Sequence, residues 1–146
     1  IDTWFASKRR RITEDGYDVL FELTEHRTFH IQQTLNRLWD KPDRMLGAAA
    51  VEETVREIHL EQEHLYYSYR TLLTDAQWAT LQAIAKERDV SEPLGEHFRS
   101  SHGLSAPSTV QCSLKALLHR ELIVHLDGSY RVEDPFLASW IRSTFV

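Results

Sequence analysis

Between Pro107 and His119, the side chains Ser108, Gln111, Lys115 and His119 recur at spacings of three and four, with Cys112 beside Gln111. On a helix, that spacing gathers them onto one face. Gln and Lys are residue types that read adenine and guanine edges in a major groove, through an amide donor–acceptor pair and an ammonium donor. Arg120 and Arg131 follow, two guanidinium groups suited to phosphate oxygens. The chemistry these residues offer is therefore recognition of duplex DNA. The competing reading is a solvated polar face on a module that packs against protein.

Other chemistry is written less completely. Glu61-x-x-His64 is one half of a paired carboxylate–histidine di-metal pattern, and His26/His30 and His59/Glu63 are pairs one helical turn apart. A bridged metal site needs a second Glu-x-x-His on a facing helix, and the chain has none. The His-Glu-x-x-His zinc motif is absent too, so no metal is expected. Cys112 is the sole cysteine, which excludes an internal disulfide and fits a reducing compartment. No nucleophile, base and orienting group stand at recognisable spacing, so no catalytic residue is assigned. Lys8-Arg9-Arg10-Arg11 is the one dense basic run and offers phosphate a grip, although solvated runs of this kind are common.

Composition limits these readings. The 146 residues are 42% hydrophobic and 27% charged, which is ordinary globular material for one domain or two small ones. Net charge is −5, with ten Lys/Arg against thirteen Asp/Glu in residues 1–73 and seven against nine in residues 74–146. DNA-binding modules usually show a basic balance, and the isoelectric point near 5.9 argues against avid binding through phosphates. No apolar run approaches the roughly 20 residues of a membrane-spanning helix, and no secretory start is visible. The cytoplasm is the expected compartment, with no membrane partner. Because the chain starts at Ile1 and its single methionine is Met45, a piece of a longer protein is expected.

The elements that must position these residues follow from periodicity and punctuation. Thr13-Glu14-Asp15 reads as a helix start, with Val19, Leu20 and Leu23 as its apolar side. A second helix is predicted from Phe29 to Trp39, burying Phe29, Ile31, Leu35, Leu38 and Trp39 and stopped by Lys41-Pro42-Asp43. A third runs from about Gly47 to Tyr69 on Val51, Val55, Ile58, Leu65 and Tyr69. Thr74-Asp75-Ala76-Gln77 is a capping box that opens a new helix lined by Trp78, Leu81, Ile84 and Ala85, and the domain boundary is placed just before it. Ser91-Glu92-Pro93 introduces a shorter helix from Leu94 to about His102, ended by Gly103. Ser105 is expected to cap the next helix, with Pro107 in its first turn and Val110, Leu114, Leu117 and Leu118 as its apolar stripe. Asp127-Gly128 then supplies the tight turn of a hairpin. Asp134-Pro135-Phe136 starts a last helix carrying Trp140 and Ile141 inward.

Three helices followed by a short hairpin are the layout of a winged helix-turn-helix. The expected fold is mainly α: a helical, lid-like bundle over residues 1–72, then a winged helix over 73–146.

The segments TEHRTFHIQQTLNRLWD, YSYRTLLTDAQWATLQAIA, SAPSTVQCSLKALLHRELIV and GSYRVEDPFLASWIR, in this order and spacing, resemble the C-terminal region of prokaryotic ATPases of the signal-transduction (STAND) branch of the AAA-like P-loop superfamily. The resemblance implies a lid followed by a winged helix, downstream of a nucleotide-binding core. It places Arg27 near the nucleotide, although His26-Arg27-Thr28 stands where the family tends to carry Gly-His-Pro. This chain has no G-x-x-x-x-G-K-[ST] loop, so it is not expected to hold ATP in the usual way, to carry a cofactor or to act as an enzyme. The implied role is that of the C-terminal regulatory region of a nucleotide-dependent switch. Its partner would be its own upstream ATPase core or another protein. The alternative is a DNA-reading winged helix of a transcription or defence regulator.

Overall fold

The computed structural model describes residues 1–6 and 9–145, leaving aside the Trp4 side chain. The chain forms two compact units, residues 1–62 and 63–146.

The first unit holds α1 (Asp2–Ala6), β1 (Arg11–Ile12), α2 (Glu14–Thr24), α3 (Thr28–Asp40), β2 (Met45–Leu46) and most of α4 (Ala48–Leu72). Thr13 takes the N-cap position of α2 without a capping bond of its own, and its hydroxyl lies instead against Asp15 and the Leu46 carbonyl. Phe5, Ile12, Leu20, Leu35, Leu38, Leu46 and Val51 make the core, with Ile31 and Trp39 packed on it. Burying one such side chain contributes roughly 1.5–3 kcal/mol. The sequence did not announce that β1 and β2 pair in parallel, Arg11 opposite Met45 and Ile12 opposite Leu46. Strands of two residues are too short to show alternation. Phe29 is a correction, being 68% exposed. The buried face of α3 runs through Thr34, Leu35 and Leu38, and at 100° per residue Phe29 falls well away from it.

The second unit contains the end of α4, then α5 (Asp75–Glu87), α6 (Glu96–Ser101), α7 (Pro107–His119), β3 (Ile123–Leu126), β4 (Ser129–Val132) and α8 (Pro135–Thr144). It begins at Glu63 and not at residue 73, and Tyr66 of α4, fully buried, belongs to its core together with Leu73, Trp78, Leu81, Ile84, Leu117 and Trp140. Tyr66 and Trp140 rings lie 5.1 Å apart. Burial, with Asp134 adding to it, holds the Tyr66 hydroxyl above its ordinary pKa. Leu65, expected inside, is 44% exposed, because the buried face at this end of α4 runs through Tyr66 and not through its neighbour.

The helix ends follow local rules. The Thr74 hydroxyl accepts from the Gln77 N–H at 3.3 Å, and the Gln77 amide oxygen accepts from the Thr74 N–H at 3.2 Å, the reciprocal bonds of a capping box. One Asp134 carboxylate oxygen accepts from the N–H groups of Phe136 and Leu137, at 2.8 and 3.3 Å, with Pro135 in the first turn. Two ends differ from expectation. Leu94 stays in a turn closed by the Gly95 N–H on the Glu92 carbonyl, so α6 begins at Glu96. Ala106, not Ser105, occupies the N-cap of α7 and makes no side-chain capping bond, while the Ser105 carbonyl accepts from Arg99.

Among the described residues no helix is long and apolar enough to cross a membrane.

Leu117 is fully buried, so Leu117→Ala should cost about 2–5 kcal/mol of stability, read by urea denaturation. Asp134→Ala, which removes the cap and the carboxylate that acts on Tyr66, should cost at least about 1 kcal/mol in the same assay. Gly16→Ala should destabilise the first unit by about 1–3 kcal/mol. A Cβ there would stand 2.7 Å from the Leu46 carbonyl oxygen, a backbone atom that cannot step aside. Unchanged stability in this variant would mean that the β1–β2 pair yields freely.

Candidate functional site: the outer face of α7 and the adjoining cavity

Helix α7 is amphipathic, and its burial decides which residues are left outside. Val110, Ser113, Leu114 and Leu117 turn inward, and Leu118 is half-buried against the same core. The opposite side carries Ser108, Gln111, Cys112, Lys115 and His119, all exposed. Four sequence-selected residues, Ser108, Gln111, Lys115 and His119, thus share one face of one helix. Lys115 is the single Lys or Arg between Pro107 and His119.

The two arginines do not join them. Arg120 takes the C-cap of α7 and borders a separate cavity of 490 Å³ beside Tyr69, Leu73 and Leu122. Arg131 sits on β4 opposite Val124, and alternation puts that pair on the hairpin face away from Ile123, His125, Tyr130 and Val132. Its guanidinium lies 2.8 Å from the Asp89 carboxylate, which also accepts from the Ser129 hydroxyl at 3.2 Å. That carboxylate competes with any phosphate for the guanidinium.

The hairpin is the wing. Asp127 and Gly128, at φ 51° and 77°, make its two-residue turn, and both left-handed angles are what such a turn requires. Val90 makes an isolated antiparallel bridge to the hairpin, exchanging both backbone hydrogen bonds with Tyr130 at 3.0 and 2.8 Å. Asp127 at the tip is exposed and acidic where a DNA-gripping wing would gain from a cation.

Between the Ser91–Gly95 loop, α7 and the hairpin lies a cavity of 540 Å³. Leu94, Leu114, Leu118 and Tyr130 supply apolar walls, and Gln111, Lys115 and Glu92 also border it. His125 and Tyr130, directly opposite across the strands, stack with ring centres 4.3 Å apart and planes 13° from parallel. Glu92 and Leu94 enter the sequence reading only as a helix start, and His125 and Tyr130 have no role in it, so none of the four is among its site residues. The cross-strand register of the hairpin was the one signal that could have paired His125 with Tyr130.

Arg27 belongs to the first unit, at the N-cap position of α3, after Glu25 and His26 in left-handed conformation. In the basic run Lys8-Arg9-Arg10-Arg11, Lys8 lies outside the described residues, and the Arg10 guanidinium donates to the Trp39 carbonyl. The half-motif residue Glu61 is held bidentately by Arg37, at 2.8 and 2.5 Å. Among the described residues no three His, Cys, Asp or Glu side chains gather to hold a metal ion.

Helix, turn, helix and a short wing on one compact core define a winged-helix protein. The chain belongs to the family described as "probable winged helix domain", whose model matches residues 64–143, nearly the whole of the second unit. Neither curated proteins nor solved structures give a match.

The Asp89–Arg131 pair is solvent-accessible on both sides, so its coupling energy should stay below about 1 kcal/mol. A double-mutant cycle of Asp89→Ala and Arg131→Ala in chemical denaturation checks this. A coupling of several kcal/mol would make the pair a structural strut of the wing.

Proposed function

We propose that this chain is the C-terminal regulatory region of a nucleotide-dependent ATPase switch, with its winged helix serving as a protein-packing module. One observation carries the packing part of this reading. The exposed face of α7 offers Lys115 as its single Lys or Arg, beside an apolar-walled cavity and a wing whose arginine is already paired to Asp89. Duplex DNA carries one negative charge per roughly 1.7 Å of axis, and a reader normally meets it with several cations. A partly apolar, sparsely charged face is better matched to protein.

The switch part rests on the resemblance of the ordered segments to STAND-type ATPases. In this reading the chain itself performs no catalysis and holds no cofactor. Its partner is its own upstream core or another protein, and its place is the cytoplasm. Arg27 is the residue of the first unit that would approach nucleotide bound by that core. Regulation then means that the winged helix contacts one nucleotide state better than another, since only differential contact can shift an equilibrium.

The DNA reading retains one supporting observation, the common exposure of Ser108, Gln111, Lys115 and His119 on α7. Two measurements separate the readings. Removing residues 63–146 from the full-length parent should change its ATP turnover or its oligomeric state, and unchanged values for both would overturn the switch. The chain should give no duplex binding at low salt with pooled genomic fragments. Binding whose logarithmic salt slope drops by about one on Lys115→Ala would favour the DNA reader instead.

A further inference from the structure

The cavity beside α7 has features that a protein-packing face does not require. Its 540 Å³ lies within the roughly 300–1,000 Å³ range of small-molecule sites. Leu114 and Leu118 wall it from the helix, and the stacked His125–Tyr130 pair walls it from the hairpin. Each ring of a stacked pair keeps one outer face and its edge, against which a further aromatic ring can sit in offset or edge contact.

Its border carries one charge of each sign, Lys115 on α7 and Glu92 on the loop before α6. Among the described residues neither side chain makes a hydrogen bond or an ion pair. The cavity therefore offers an apolar, aromatic interior with an unused cation and an unused anion at its edge.

The geometry points to a binding site for a free aromatic α-amino acid, its ring against the His125–Tyr130 stack, its carboxylate toward Lys115 and its ammonium toward Glu92. A ligand carrying only an anion leaves Glu92 facing a like charge or nothing, and one carrying only a cation does the same at Lys115. Only the zwitterion matches both, and specificity comes as much from these mismatches as from the favourable contacts. A phosphate backbone would meet Glu92 as a repulsive neighbour. This site is independent of any ATPase parentage, because every residue it uses lies in the winged helix.

The test is an isotope-resolved NMR titration of the whole 146-residue chain with three probes: L-tryptophan, tryptamine and indole-3-propionate. L-Tryptophan should shift the signals of His125, Tyr130 and Leu114 saturably, and bind roughly fivefold tighter than either singly charged analogue. Lys115→Met should remove its advantage over tryptamine, and Glu92→Gln its advantage over indole-3-propionate. Both residues are exposed, so each variant should keep the native spectrum outside the cavity. Three results would each overturn the proposal. One is no saturable shift up to about 10 mM L-tryptophan, and another is shifts centred elsewhere. The third is equal affinity for all three probes in the native chain or an unchanged preference in the variants.

Discussion

The second unit depends on burying one stripe, Val110, Leu114 and Leu117, from α7 against the core built around Trp78, Leu81 and Ile84 of α5. Each of these side chains contributes roughly 1.5–3 kcal/mol when removed from water, a large share of a small domain's net stability. Fixing that stripe leaves α7 no rotational freedom. Gln111, Lys115 and His119 then face out whether or not they have a partner. The hairpin follows from the same constraint, because Ile123 and Val132 continue the buried surface and carry His125 and Tyr130 beside α7 on their shared face.

Charge is arranged around this frame rather than concentrated on it. Arg131 and Arg70 each stand against a carboxylate of their own unit, which lowers the positive potential that the outer surface could present. Exposed pairs of this sort add little stability. Their consequence is for recognition: the face of α7 meets its surroundings with one lysine and an apolar recess. A winged helix with that surface differs in its electrostatics from one designed to follow a phosphate backbone.

Much of the architecture could be read before the structure. The capping box at Thr74, the Asp127-Gly128 turn, the Asp134-Pro135 start of α8 and the apolar stripe of α7 are signals carried by three to eight neighbouring residues. They held because the physics behind them is equally local. Reading failed at two helix starts, Leu94 and Ser105, and where the outcome turned on a contact distant in sequence. Phe29 looked like core and lies outside, and Tyr66 is fully buried without having been chosen. The Arg11–Ile12 and Met45–Leu46 strands are visible only once paired. The candidate site divides in the same way. One helix period gathers Ser108, Gln111, Lys115 and His119, whereas Arg120 and Arg131 were added by residue type and the fold places them elsewhere.

What the sequence determined by itself was the order and kind of the elements and the polar side of α7, since hydrogen-bonded turns, caps and a 3.6-residue period are short-range properties. Only the tertiary structure decided that Asp89 would hold Arg131, that His125 and Tyr130 would stack, and that Glu92 and Lys115 would border one cavity. Those groups are separated by twenty or more residues or by a chain reversal. They meet only because burying the apolar stripe brings the loop before α6, α7 and the hairpin together around one core.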